Sequence, residues 1–142
     1  MLSNKGFTLI ELLVVLGMIL LLYSIVIPNK NMISEDILLY QTTVNLEDTL
    51  KLARHLSIDE SSSYRVDIKN NLVTVRKHLY NTLPIYTMEI PTGINVRVTT
   101  NQVIYFNRNG ASSYHRIVVE NSNKEQYILE TMIGTGRIQR SR

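Results

Sequence analysis

Glu11 is the one charged side chain in a stretch that is otherwise uncharged from Phe7 to Ile27. A carboxylate near the centre of a membrane helix costs on the order of 3 kcal/mol, and less near the helix end. Such a group pairs with a cation, reaches polar surroundings or gives up its charge. If the chain is cut between Gly6 and Phe7, the new ammonium on Phe7 stands four residues before Glu11, on one helix face. The carboxylate then pairs with that amine or with the amine of a neighbouring copy. In an uncut chain it snorkels to the headgroups or is protonated.

The other reactive side chains form no recognisable constellation. His55, His78 and His115 have no metal-ligand spacing to one another or to carboxylates. Ser61-Ser62-Ser63 has no nearby base, and Gly134-x-Gly136 is too short for a phosphate-binding loop. The absence of cysteine excludes a thiol nucleophile, a disulfide framework, a lipobox anchor and a Cys-based zinc site. No enzyme activity, metal or cofactor is expected.

A second group of residues carries charge rather than catalysis. Residues 29–63 hold three basic and six acidic side chains, whereas residues 64–142 hold eleven basic and five acidic ones. Arg137, Arg140 and Arg142 end the chain, with Arg116 and Lys124 close in sequence. One reading is a set of solvated faces of unequal sign. The other is a basic distal surface that attracts a polyanion.

These residues need elements to hold them. The chain has 142 residues and 16.3 kDa, enough for one domain. Its zero mean hydropathy averages a greasy segment and a polar remainder. The 21 residues Phe7–Ile27 make a helix of about 31 Å at 1.5 Å per residue, which matches a hydrocarbon core of about 30 Å. Apolar residues on every face argue against a soluble core helix. The run is too long for a cleaved secretory signal, and no alanine occurs before Ala53 to form a small-residue cleavage site. Lys5 and Lys30 flank the segment, so charge alone does not orient it. Pro28 removes one helical hydrogen bond and can kink the helix.

Residues 29–60 read as an amphipathic helix. Ile33, Ile37, Tyr40 and Val44 form one apolar stretch, and Leu46, Leu50 and Ala53 a second, with a register break near Val44. From Tyr64 the period changes to two. Strands are expected at 64–68, after the Asn70-Asn71 turn, and at 85–90, 94–98, 103–107, 114–120, 126–132 and 136–140. The order is α+β, a long helix followed by an antiparallel sheet that buries the helix's outer half. The eight tyrosines are expected as half-buried strand residues.

Lys5-Gly6-Phe7-Thr8-Leu9-Ile10-Glu11 followed by an apolar run resembles the prepilin signal of type IV pilins and pseudopilins. The resemblance implies a leader, residues 1–6, that a membrane prepilin peptidase removes after Gly6, with N-methylation of Phe7. It also implies that Glu11 pairs with the terminal ammonium of an adjacent subunit during assembly. The leader would be cytoplasmic, 7–28 a single-pass transmembrane and assembly helix kinked at Pro28, and the amphipathic helix 29–60 and β domain 61–142 extracytoplasmic.

Val103-Ile104-Tyr105-Phe106-Asn107-Arg108-Asn109-Gly110 and the closing Gly134-Thr135-Gly136-Arg137-Ile138 are similar to the H-type pseudopilin and FimT-like pattern. The whole layout looks most like ComGD-type competence minor pseudopilins. That implies a structural subunit of a filament for DNA uptake in natural transformation, displayed at the cell surface with major and other minor pseudopilins. Non-specific DNA contact would fall to Arg137, Arg140, Arg142, Arg116 and Lys124. DNA-binding relatives carry a G-R-x-R tail, whereas here the second Arg is displaced by one, which on a strand turns it to the other face. The alternative is a minor pseudopilin of a protein-secretion or adhesion system without DNA contact. A weaker one is a single-pass membrane protein whose motif is accidental.

Overall fold

The computed structural model describes residues 8–26, 35–69, 71–78, 83–99 and 102–142. Gly6, Phe7, Pro28 and the expected helical residues 29–34 lie outside them. The chain divides into two compact units, within residues 1–32 and 33–142.

In the first unit, α1 runs over Leu9–Val26. Thr8 caps it: the Thr8 hydroxyl accepts the Glu11 N–H at 3.3 Å. Thr8 and Glu11 therefore stand in the spacing of a capping box, with Glu11 in the first turn, where the helix dipole favours a carboxylate. From Thr8 to Tyr23 every side chain is exposed, and the apolar ones occupy all faces. Among the described residues no helix is long and apolar enough to cross a membrane. The 18 residues of α1 span about 27 Å, short of the roughly 30 Å of a hydrocarbon core.

The second unit begins with α2, Glu35–Asp59. Its buried face is Leu39, Thr42, Thr43, Leu46, Thr49, Leu50, Ala53 and Ser57. This corrects the expected stripe: Ile37 and Tyr40 are exposed, and there is no register break at Val44. Threonines continue the face because their hydroxyls are satisfied inside the helix. Thr42, Thr43 and Thr49 each donate to the carbonyl four residues earlier, all at 2.7 Å. A buried threonine with its hydroxyl so occupied presents a methyl to the core. The helix closes with Ser61 at φ 47, the Ser62 N–H donating to the Ser57 carbonyl at 3.2 Å and the Ser61 N–H to the Ile58 carbonyl at 3.1 Å.

Eight strands follow: β1 Tyr64–Lys69, β2 Leu72–Lys77, β3 Tyr86–Glu89, β4 Asn95–Val98, β5 Val103–Phe106, β6 His115–Glu120, β7 Gln126–Thr131 and β8 Ile138–Ser141. Alternation and turn residues place them where the sequence suggested. Asn71 turns the β1–β2 hairpin at φ 58. The expected single sheet is, among the described residues, two four-stranded antiparallel sheets, ordered β3-β2-β1-β5 and β4-β6-β7-β8. The chain enters the second sheet after β3, returns for β5 and crosses again through residues 107–114. Ser112 bridges both Phe106 and Ile133 at this second crossing. Both sheets pack on α2. The shared core includes Leu46 and Leu50 from the helix, Tyr64, Val66, Ile104 and Phe106 from the first sheet, and Ile117, Val119 and Leu129 from the second.

Two glycines close the seam between the sheets. Gly136, at φ 60, brings its backbone so near Gly110 that a Cβ would lie 1.9 Å from the Gly110 carbonyl oxygen. Gly110, at φ 73, is in turn covered by Ile58 of α2. Arg54 ties the same corner to the helix, its Nε donating to the Thr135 carbonyl at 3.1 Å.

Candidate functional site

The N-terminal candidates divide between described and undescribed residues. Glu11 stands in the exposed first turn of α1. Gly6 and Phe7, the cleavage and methylation positions, and Pro28 fall outside the described residues. The described part thus places the carboxylate at the start of a helix rather than in its middle, the end where a terminal ammonium would arise.

Four of the five C-terminal cations stand within 4.0 Å of a carboxylate. β8 pairs with β7 in the register Leu129–Arg140 and Thr131–Ile138, so Arg140 shares a face with buried Leu129. That face turns to α2. Arg140 Nη1 lies 3.4 Å from Glu47 Oε2, and its guanidinium stands 5.3 Å from the Tyr40 ring. Tyr40 meets Tyr127 edge-on at 6.2 Å, and Arg142 lies over Tyr127 at 5.5 Å with Glu125 at 4.0 Å. Exposed Tyr40, misplaced as a core residue in the sequence reading, is thus part of an aromatic and ionic seam that fastens the last strand to the helix.

Lys51 also reaches Glu47, at 2.7 Å, and that contact holds its ammonium above the usual lysine range. Arg116 approaches Glu130 at 4.0 Å, and the Tyr114 hydroxyl donates to the same carboxylate at 2.6 Å. This bond raises the Tyr114 phenol. Lys124 reaches Glu120 at 2.9 Å, and Arg97 pairs with the other oxygen. The Lys124 hydrogen bond, with help from Arg97, holds Glu120 below the usual carboxylate range. Of the five cations, Arg137 alone is exposed without an ion pair among the described residues. The structure brings Arg140 and Arg142 together at the α2 seam, but does not gather all five into one patch.

The histidines are also separated. His115 is buried, its backbone N–H donating to the Thr131 hydroxyl at 2.9 Å and its ring Nδ1 without a partner among the described residues. Burial pushes its imidazole below the ordinary value. His78 is exposed and meets Tyr105 edge-on at 4.9 Å. Among the described residues no group of three or more His, Asp or Glu is placed to hold a metal ion.

A cleft of about 510 Å³ opens where β5 parts from the segment entering β6. Tyr105, Tyr114, Ile133 and His78 line it, with Phe106 at its base. The tyrosines there are exposed at 42% and 41%. A signal was present in Ile133, a large apolar residue beside a glycine turn, which is exposed at 75%.

Residues 1–27 match the family model of the prokaryotic N-terminal methylation motif. No curated protein matches the sequence. The structure is similar to the type IV minor pilin FimU of Pseudomonas aeruginosa strain PAO1 in two crystal forms. The first has a TM-score of 0.65 at 12% identity, covering 73% of this chain and 88% of FimU. The second has 0.64 at 13%, covering 72% and 92%. It is also similar to the minor pseudopilin EpsH from the Type 2 Secretion System of Vibrio cholerae, with a TM-score of 0.55 at 11% identity over 68% of this chain and 90% of EpsH. At such identity the likeness is one of fold. The chain therefore joins an N-terminal methylation motif of the pilin type to the α+β fold of minor pilins and pseudopilins.

Proposed function

We propose that the chain is a minor subunit of a pilus-like filament. It is made with leader 1–6, cut after Gly6 by a prepilin peptidase and N-methylated on Phe7. It is held in the membrane by the single-pass segment 7–28 before it joins major and other minor subunits at the cell surface. The observation that carries this reading is the methylation motif over residues 1–27 in front of a pilin fold. The position of Glu11 in the first turn of an apolar helix supports the pairing of its carboxylate with a neighbour's terminal amine. Glu11→Ala is expected to leave membrane insertion intact and to remove the protein from sheared filaments. Normal filament incorporation of that variant would contradict the assembly role.

The finer reading is a filament for uptake of external DNA, as in competence systems. Its support is the basic excess over residues 64–142 and the unpaired Arg137. Any phosphate contact of this kind is non-specific and weakens steeply with salt. Arg137→Ala is the clean test, because Arg140 has structural partners in Glu47 and Tyr40. It is expected to lower DNA affinity of residues 33–142 at low salt. No binding by the wild type at low salt would remove the DNA contact. The second reading, a secretion or adhesion filament without DNA contact, is favoured by one observation: four of the five cations each have a carboxylate within 4.0 Å. Deletion of the gene separates the two, by loss of transformation or by loss of secretion or adhesion.

A further inference from the structure

Tyr64, Val66 and Ile68 of β1 turn to the core, so Arg65, Asp67 and Lys69 share the opposite face of the first sheet. Thr74 and Arg76 of β2 and Val103 and Tyr105 of β5 lie on that face too, because Val73, Val75, Ile104 and Phe106 are buried. The register sets Arg76, Arg65 and Tyr105 side by side in one row across three strands. Like charges directly opposite each other destabilise a sheet. Asp67 offsets this in part: its Oδ2 lies 3.4 Å from Arg65 Nε and 3.9 Å from Arg76 Nε. One carboxylate thus serves two guanidiniums, and neither guanidinium makes a hydrogen bond with a described residue. Both side chains stay partly open to solvent, at 29% and 34%. The pair is unfavourable for the sheet alone but suits a phosphate, which planar N–H forks grip well.

This row leads into the cleft of about 510 Å³, whose size is within the range of a binding cleft. Tyr105 and Tyr114 line it, and both rings are exposed. His78 meets the Tyr105 ring edge-on at 4.9 Å and supports it from the side. A smaller cleft of about 240 Å³ adjoins the first through Ser63 and His78, and is also lined by Lys77 and Arg108. Lys77 is held by Glu60 at 2.8 Å. Arg108 is exposed and has no ion pair among the described residues. Among the described residues no carboxylate lines either cleft. The surface therefore presents a guanidinium pair, then an aromatic cleft, then a further cation.

We propose that this surface binds single-stranded nucleic acid. One phosphate sits on Arg65 and Arg76, the adjoining base enters the cleft against Tyr105 and Tyr114, and a following phosphate meets Arg108. A duplex offers the same phosphates but keeps its bases inside the stack, out of reach of the rings. An acidic peptide supplies charge but not the flat aromatic group that the cleft holds beside it, so the nucleic acid is the better match. The surface serves the DNA-uptake reading, on which its role in the cell rests, and does not use Arg137.

The test uses residues 33–142, a compact unit that contains the whole core, and a fluorescein-labelled oligothymidylate of about ten nucleotides. Fluorescence anisotropy at about 50 mM salt should show binding that weakens steeply as salt is raised. Tyr105→Ala should lower the affinity about tenfold, whereas Tyr105→Phe should keep it, because the ring rather than the hydroxyl is the platform. Arg65→Gln combined with Arg76→Gln should also lower it about tenfold and flatten its salt dependence. Tyr105 is exposed, so its variants keep the test sound even if the arginine pair proves necessary for folding. A duplex of the same length should bind more weakly than the single strand. Equal binding of the duplex, displacement of the strand by polyglutamate of equal charge, or unchanged affinity in Tyr105→Ala would overturn the proposal. If Arg137→Ala alone lowers the affinity, the DNA reading stands and this surface is wrong. If neither the single strand nor the duplex binds at about 50 mM salt, both fall.

Discussion

Gly136 illustrates how much one residue without a side chain carries here. Its φ of 60 and the 1.9 Å approach of a hypothetical Cβ to the Gly110 oxygen leave no room for a methyl group. Gly136→Ala should lower stability by about 2–4 kcal/mol, since backbone cannot move aside as a side chain can. Gly134 has a similar φ of 79 but open space around it. Gly134→Ala should cost only the backbone strain, about 1–2 kcal/mol. Thermal melts of the two variants check the difference; equal losses would mean the Gly136–Gly110 approach is not tight. The glycine of the Gly136-Arg137-Ile138 sequence is thus explained by packing, whereas its arginine is free for other uses. At the same scale, His115 makes stability depend on pH. Burial holds its folded-state value below the ordinary 6.5. Between the two values the unfolded chain binds a proton that the folded chain does not. The contribution is complete above about pH 6.5 and is lost as the pH falls. The melting temperature should drop on going from about pH 7.5 to about pH 5.5, and His115→Gln should flatten that slope. The lowered carboxylates Glu60 and Glu120 act in the same direction, but only as the pH falls below the ordinary 4.5.

The elements differ in how plainly the sequence announces them. The eight strands are legible because β-branched and aromatic residues cluster between Asn, Gly and Pro turns, alternating with polar residues in β1 and β4. Their division into two sheets is not, because alternation defines a strand's faces but not its neighbour. The return of β5 to β1 across an intervening strand of the other sheet is a tertiary choice. On α2 the period was readable and the phase was not. Hydropathy favours Ile37 and Tyr40, yet the buried line runs through Thr42, Thr43 and Thr49. The aromatic and ionic seam that uses Tyr40 depends on a strand about a hundred residues away in sequence. Thr43→Val should change stability by less than about 1 kcal/mol, since the lost hydrogen bond is local and the methyl volume is kept. Leu46→Ala, on the same face, should cost about 2–5 kcal/mol. Chemical denaturation resolves the two. A large loss for Thr43→Val would show that its hydroxyl, rather than its methyl, is what the core requires.

On the scale of the molecule, the division into two compact units matches the division in composition. The first unit has an all-round apolar helix with Glu11 in its first turn, and the second has a complete core of its own. The α+β order was legible from the change of period near Tyr64. At the N-terminus the candidate residues are consecutive, and residues 1–27 match the methylation motif. Most of the C-terminal cations could not be sorted from the sequence, because Glu47, Glu125 and Glu130 reach Arg140, Arg142 and Arg116 only through packing and strand register, whereas Glu120 is four residues from Lys124. The central claim is that the chain is a processed, pilin-like subunit. The most direct test is the mass of the N-terminal peptide of the protein isolated from cells that express the peptidase. The expected peptide begins at Phe7 and carries one added methyl group on its amine. A peptide that retains Met1 to Gly6, or one that begins beyond Ile27, would contradict the account.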